Sequence, residues 1–178
     1  MKHAVILYWS STGNTEKVAF AIKEGLEDAG VNVSVMKTTE AKNIDYFDYD
    51  LVCIGCPSIQ WRPAKPVDEF LLKKFEEHNK QEKIKTAAPK VKGKNALIFC
   101  TYSGPHTGIR EATPVGLYVG QFFEHIGFTV LDEWYILSEF HGSLEHSTKG
   151  IMGDIRGKPT LEELQKIRMN AKKVASKL

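Results

Sequence analysis

Short apolar runs alternate along the chain with apolar stripes at helical spacing. The first, third and fourth runs are almost unbroken in Val, Ile and Leu, as in strands buried on both faces of a parallel sheet. The second run alternates between apolar and polar residues, which is typical of an edge strand. The runs predict five strands, at Ala4–Trp9, Val31–Val35, Leu51–Gly55, Ala96–Cys100 and Phe128–Leu137.

Four stripes with apolar residues three or four positions apart predict helices between and after these strands. Gly30 and Gly127 follow the first and third stripes, where glycine commonly ends a helix. Thr160 and Glu163 have the order of a capping box before the last stripe. Strand alternating with helix predicts a three-layer α/β sandwich, a parallel sheet with helices on both faces, as one domain over residues 1–178. The stripes are Val18–Ala29, Val67–Phe75, Val115–Ile126 and Leu161–Val174.

Three connecting segments lack clear periodicity. We expect a short or irregular crossover over Thr38–Asp50 and long loops over Asn79–Gly93 and Ser138–Lys158. The most basic stretch, Lys80–Lys94, carries no aromatic residues that could stack on bases, so we interpret it as a solvated loop.

Composition narrows the class of protein. Of the 178 residues, 42% are hydrophobic and 26% are charged, as in an ordinary soluble domain, and the net charge of +2 is too small to indicate nucleic-acid binding. No apolar stretch approaches the roughly twenty residues of a membrane helix, and the first apolar run is too short for a signal peptide. Cys53, Cys56 and Cys100 lie in apolar runs, which predicts buried thiols in a reducing compartment. We therefore expect a cytoplasmic protein that binds neither membranes nor nucleic acids.

A loop rich in hydroxyl groups follows the first predicted strand and leads into a helix expected to begin near Glu16. The free N–H groups of a helix N-terminus bind anions, hydroxyls add donors, and a glycine lets the backbone approach a ligand. Such a loop suits the phosphate of a mononucleotide. The Gly-Lys pair of a Walker loop and the three glycines of a dinucleotide fold are both missing. The loop residues are Ser10, Ser11, Thr12, Gly13, Asn14 and Thr15.

This loop resembles the FMN phosphate loop of the flavodoxin family. Gly55–Ser58 with Trp61, and Thr101–Gly104, resemble the two family loops that flank the flavin, so the resemblance extends over most of the chain. It implies a five-stranded parallel sheet of order 2-1-3-4-5, with FMN as the cofactor. The residues that it assigns to FMN are Ser10, Ser11, Thr12, Gly13, Asn14, Thr15, Pro57, Ser58, Ile59, Gln60, Trp61, Arg62, Thr101, Tyr102, Ser103 and Gly104.

The residues of the two flanking loops agree with a flavin site. An isoalloxazine ring is flat and polar at its edge, so aromatic faces and backbone hydrogen-bonding groups suit it. Trp61 and Tyr102 each follow a strand that neighbours the phosphate strand, and Cys56 could also reach the flavin. Packing of Trp61 on its own helix, or of Tyr102 in the core, is the alternative.

The chain departs from the family pattern in its charges. Many flavodoxins place carboxylates around the flavin, whereas the loops here carry Arg62, His106 and Arg110. Trp61 is followed by Arg62 and Pro63, where the family tends to place a glycine.

Two other groups of residues give only weak indications of a functional site. Cys53 and Cys56 are three apart on a strand and are expected on opposite faces, which disfavours a redox pair. His141, Glu145 and His146 are better interpreted as exposed loop residues than as metal ligands, because no further ligand completes a standard set.

Three functions from different classes remain open. The first is an electron carrier that docks with redox proteins. The second is an FMN-dependent NAD(P)H:quinone or acceptor oxidoreductase, in which basic loop residues hold a nicotinamide nucleotide and the long Ser138–Lys158 segment forms a pocket. The third is a flavin-free interaction domain, against which the intact hydroxyl loop argues.

Overall fold

The computed structural model describes all 178 residues and contains six strands. Five of them form a parallel sheet of order β2-β1-β3-β5-β6, which confirms the predicted parallel strands and their order. The sixth, β4, is a two-residue strand that pairs antiparallel with the end of β3. The strands are β1 (His3–Tyr8), β2 (Asn32–Lys37), β3 (Leu51–Ile59), β4 (Arg62–Pro63), β5 (Asn95–Tyr102) and β6 (Thr129–Leu137).

Helices cover both faces of the sheet, as the alternating pattern predicted. The apolar stripes of α1 and α5 pack into one core cluster, and those of α2 and α3 pack into a second cluster on the other face. The capping box before α5 is present, since the side chains of Thr160 and Glu163 each bond the other's backbone. The helices are α1 (Asn14–Glu27), α2 (Lys65–Lys80), α3 (Thr113–His125), α4 (Leu144–Thr148) and α5 (Leu161–Ala175).

The central strands are buried on both sides, and all eight residues of β5 are buried. At the sheet edge, β2 alternates between exposed and partly buried residues. Cys53 belongs to one core cluster and Cys56 to the other, so their side chains lie on opposite faces of the sheet, as expected. None of the helices is long and apolar enough to cross a bilayer.

The prediction of a loop throughout Ser138–Lys158 is wrong, because this segment contains α4. The Ser143 side chain caps this short helix by accepting a hydrogen bond from the His146 backbone N–H at 3.2 Å. Five residues are too few to show an apolar period, so only the capping serine could have revealed the helix.

Several predicted boundaries also shift. The first helix begins at Asn14, two residues before Glu16, because Gly13 with φ +94° turns the backbone directly into it. The third strand continues past Gly55 to Ile59, where it pairs with β4. The crossover Thr38–Asp50 holds a 3₁₀ turn at Tyr46–Asp48.

Candidate functional site

A cleft of about 910 Å³ opens at the carboxyl edge of the sheet, where the loops after β1, β3, β5 and β6 meet. Its size lies in the upper part of the range for small-molecule sites. Of the sixteen residues assigned from the sequence, Gly13 alone does not line the cleft, and the others do: Ser10, Ser11, Thr12, Asn14, Thr15, Pro57, Ser58, Ile59, Gln60, Trp61, Arg62, Thr101, Tyr102, Ser103 and Gly104.

The phosphate loop, residues 10–15, presents unpaired donors to this cleft. Gly13 N–H bonds the Ser10 hydroxyl at 3.0 Å, and the first helical bond runs from Lys17 N–H to Gly13 O. The backbone N–H groups of Ser11, Thr12 and residues 14–16 make no hydrogen bond within the protein. Converging N–H groups at a helix N-terminus attract an anion, with the helix dipole adding to the effect.

The one carboxylate in the first turn of α1 is directed elsewhere. The Tyr8 hydroxyl donates to Glu16 Oε1 at 2.5 Å. Burial, together with this carboxylate, raises the pKa of Tyr8 to about 12, so the phenol stays protonated and keeps donating. The acidic group of Glu16 is therefore engaged with Tyr8.

The Thr15 hydroxyl shares a hydrogen bond with a second threonine. Its Oγ1 lies 2.8 Å from Thr101 Oγ1, and both side chains are buried. This bond joins the phosphate loop to the end of β5. Two hydroxyls have two hydrogens and use one between them, so the pair retains one donor for a ligand.

Asn14 supplies a buried acceptor that the protein itself leaves without a partner. Its Nδ2 donates to the backbone oxygen of Glu139 at 3.1 Å, whereas its Oδ1 has no hydrogen-bond partner. A buried polar atom without a partner costs roughly 1–3 kcal/mol. A ligand with hydroxyl donors would satisfy it.

Trp61 lies on a tight hairpin between β3 and β4. The two turn residues, Gln60 and Trp61, both have positive φ, of 50° and 63°, and Ile59 pairs with Arg62 on either side. This is the conformation of a two-residue hairpin turn that usually requires glycine or asparagine. The turn carries the Trp61 side chain outward with 63% of it exposed, so it does not pack on its own helix.

Tyr102 lines the same cleft at the end of β5. Only 8% of it is exposed, although it contributes to the lining, and burial raises the pKa of its phenol. The two aromatic residues therefore differ, with Trp61 free to cover a ligand and Tyr102 fixed in the floor.

A further side of the cleft is formed by residues that were not assigned to FMN, most of them in the Ser138–Lys158 segment that was considered as a pocket wall. Phe140 stacks on His146 with ring centroids 5.7 Å apart, and His106 meets His146 edge-on at 5.4 Å. We call His106, Phe140, His141 and His146 the histidine wall. The lining residues outside the predicted set are Pro105, His106, Glu111, Ser138, Glu139, Phe140, His141, Gly142 and His146.

Polar contacts hold this wall in place. The Ser147 hydroxyl accepts from Phe140 N–H and donates to Phe140 O, both at 3.0 Å. His141 Nδ1 lies 3.7 Å from Glu139 Oε1, and the other oxygen of that carboxylate accepts from Gly157 N–H. The interpretation of His141 and His146 as plain loop residues is therefore incomplete, because both line the cleft. The contact between His106 and His146 could not be predicted from their spacing in the sequence.

Two other residues considered from the sequence lie outside the lining. Arg110 is exposed on the 3₁₀ turn Gly108–Glu111, next to the cleft but not in it. Cys56 is buried in the core with its pKa raised by burial to about 12, so it contributes neither contact nor a reactive thiolate to the cleft.

Comparison with known proteins supports this picture. Residues 6–104 match the family model for flavodoxin. A flavodoxin from Megasphaera elsdenii is 29% identical over 97 residues, which cover 54% of this chain and 63% of that protein, so the chain spans less than two thirds of this relative. An NAD(P)H dehydrogenase (quinone) from Caulobacter vibrioides is 28% identical over 202 aligned residues, covering 98% of this chain and 96% of that protein.

Solved structures agree on the fold. The crystal structure of oxidised Flavodoxin 1 from Bacillus cereus aligns with a TM-score of 0.68 over 99% of each chain, at 13% identity. Because the family model covers more than half of the chain, this protein belongs to the flavodoxin family, whose members bind FMN and transfer electrons to redox partners.

Proposed function

We propose that this cleft binds one FMN and that the protein carries electrons between redox partners. The observation that carries the proposal is the row of unpaired backbone N–H groups in the phosphate loop, beside two aromatic side chains. When bound, FMN supplies the redox chemistry, because its ring system accepts and returns electrons. The protein supplies binding and orientation.

The residues present fit the parts of this cofactor. The N–H groups between Ser11 and Glu16 suit a phosphate, with no lysine or arginine needed to hold the charge. The unpaired Asn14 Oδ1 requires a donor, and the hydroxyls of a ribityl chain are donors. Trp61 and Tyr102 offer aromatic surface to a flat ring.

Binding measurements with matched ligands test this assignment. FMN, riboflavin and FAD are titrated into protein freed of any bound flavin, and the quenching of flavin fluorescence is followed. Hydrogen bonds to a charged oxygen contribute about 1.5–3 kcal/mol each, so the loss of two should weaken riboflavin binding about a hundredfold or more relative to FMN. FAD should also bind more weakly, because its ribityl phosphate is joined to a second phosphate by an anhydride bond and lacks the free terminal oxygens of FMN. Equal affinity for riboflavin and FMN would contradict a phosphate site in this loop.

A second candidate is an FMN-dependent NAD(P)H:quinone oxidoreductase. Two observations favour it: the histidine wall enlarges the cleft beyond the flavin-flanking loops, and the similarity to the Caulobacter quinone dehydrogenase extends along the whole chain. The FMN-loaded protein is mixed with NADPH or NADH under argon, with and without a quinone. Rapid bleaching of the flavin, followed by turnover of the quinone, would favour the reductase, and no bleaching would favour the carrier.

We also propose that residues 1–178 act as one domain in the cytoplasm. All three cysteines are buried free thiols, which suits a reducing compartment. Fractionation of cells that express the tagged protein would test this location.

A further inference from the structure

Three exposed apolar side chains lie close together beside the cleft. Ile59, Trp61 and Ile109 are 46%, 63% and 47% exposed. The first two lie on the β3–β4 hairpin and the third on the 3₁₀ turn Gly108–Glu111. The Ser58 hydroxyl donates to the backbone oxygen of Glu111 and so holds the hairpin and the turn side by side.

The arginines of the chain divide into two groups. The two that lie away from the cleft are paired: Arg156 with Asp154 at 2.6 Å, and Arg168 with Asp28 at 2.7 Å. The guanidinium groups of the other two, Arg62 on the hairpin and Arg110 on the turn, make neither an ion pair nor a hydrogen bond within the protein. We call Ile59, Trp61, Arg62, Ile109 and Arg110 the mouth face.

The carboxylates near the mouth face are already engaged. Glu111 Oε1 accepts backbone N–H bonds from His106 and Thr107 at 2.8 and 2.7 Å. Asp68 accepts the Tyr118 hydroxyl at 2.7 Å, and Glu69 pairs with Lys65 at 3.6 Å. None of these carboxylates pairs with either of the two guanidinium groups.

This combination fits a protein partner better than a small anion. Arg110 does not line the cleft, so the two arginines do not converge on one pocket. Apolar side chains flanked by arginines, with a protruding tryptophan, are the composition of protein-binding hot spots. Charge complementarity then requires carboxylates on the partner.

We infer that the mouth face is the docking surface for an acidic redox protein, one whose carboxylates surround an exposed redox centre. The inference rests on the proposed function and specifies the partner class. Docking there would bring the partner's centre against Trp61, at the edge of the proposed flavin site. The arginines would steer the encounter, and the apolar side chains would provide the buried contact.

The test measures binding of an acidic plant-type [2Fe–2S] ferredoxin to the FMN-loaded protein by calorimetry at low ionic strength, with basic cytochrome c as the opposite-charge probe. Arg110→Glu is compared with Lys92→Glu, because Lys92 is equally exposed and unpaired but lies in the distant loop between α2 and β5. We expect Arg110→Glu to weaken ferredoxin binding about fivefold or more and Lys92→Glu to change it less than twofold. The difference should shrink at high salt.

Equal effects of the two substitutions, or tighter binding of cytochrome c than of ferredoxin, would overturn the inference. So would a loss of NADPH binding in Arg110→Glu while ferredoxin binding is unchanged, or a wild-type dimer that this substitution dissociates. FMN affinity is measured first for each variant. Failure of the wild-type protein to bind FMN rejects the proposed function, whereas FMN binding with unaltered ferredoxin affinity in Arg110→Glu rejects only the docking surface.

Discussion

The phosphate loop and the histidine wall face the same cleft but are built in different ways. The loop is six consecutive residues that present backbone N–H groups, so one short stretch of sequence determines its chemistry. The wall joins side chains from two segments, and its central contact brings together His106 and His146, forty positions apart. A site made by backbone geometry can be identified from a motif, whereas one made by tertiary packing cannot.

The largest expected effect concerns the backbone of the phosphate loop. Gly13→Val places a β-branched residue at φ +94°, which costs about 3 kcal/mol or turns the N–H groups away from the ligand. We expect FMN affinity, measured by fluorescence quenching, to fall more than tenfold. Gly30→Val is the control, because Gly30 also has positive φ with open space around it but lies far from the cleft. It should lower stability without changing FMN affinity, and an equal loss in both variants would refute a special role for Gly13.

The second effect concerns the aromatic cover. Trp61→Ala should weaken FMN binding by about 1–3 kcal/mol, the usual contribution of an aromatic stack on a flat heterocycle. Stability should change little, because the side chain is mostly exposed. Trp134→Ala, on the edge strand β6 and outside the lining, serves as the control in the same titration. An unchanged dissociation constant for Trp61→Ala would mean that the ring of the cofactor lies elsewhere.

A smaller effect is expected in the wall. Phe140→Ala removes the stack on His146 and should lower the free energy of unfolding by about 0.5–1.5 kcal/mol, with FMN affinity changed less than about twofold. Phe20→Ala is matched in exposure and takes part in no aromatic pair. Denaturant titration should show a smaller loss for Phe20→Ala. If Phe140→Ala lost as much FMN affinity as Trp61→Ala, the histidine wall would be part of the cofactor site.

The smallest effect concerns Glu163, which bonds Lys158 at the end of the Ser138–Lys158 segment. Burial opposes ionisation of Glu163, but hydrogen bonds from Lys158 and Thr160 outweigh it and hold the pKa of this carboxyl below its usual range. A lowered folded-state pKa stabilises the fold above the unfolded value, about 4.3, and this stability is lost as pH falls through the folded value. Denaturation between pH 7 and 3 should therefore show an extra loss, below about 1 kcal/mol, that Glu163→Gln lacks. Parallel curves would contradict the assignment.

The strands of the sheet could be predicted because each buried strand carries its own apolar run, and helical stripes indicated helices on both faces. The strand order came from the resemblance to the flavodoxin family, not from the apolar runs. It also predicted the position of the phosphate loop, since a hydroxyl-rich turn after a buried strand is a local signal. The role of these residues in binding FMN stays a prediction.

The hairpin turn and the contacts within the histidine wall were missed for physical reasons. The turn at Gln60 and Trp61 contains no glycine or asparagine, so its left-handed backbone has no signal in the sequence. The five-residue α4 is too short for periodicity. The pairing of Thr15 with Thr101 was also missed, because it depends on two loops that meet only in the folded chain.

The hydrogen bond from Asn14 to the Glu139 backbone has a thermodynamic consequence, because it joins the phosphate loop to the segment that carries Phe140 and His141 of the histidine wall. A ligand that requires an ordered phosphate loop raises the free energy of any local opening that breaks this bond, by RT ln(1 + [L]/Kd). Openings of the wall segment that also release Asn14 then become rarer as ligand is added. The Ile155 amide, which is buried and bonded to Ser147 O at 2.9 Å outside the lining, would exchange its hydrogen more slowly in step with ligand concentration. Hydrogen exchange at Ile155 would thus report ligand binding in the cleft, although the ligand does not contact this residue.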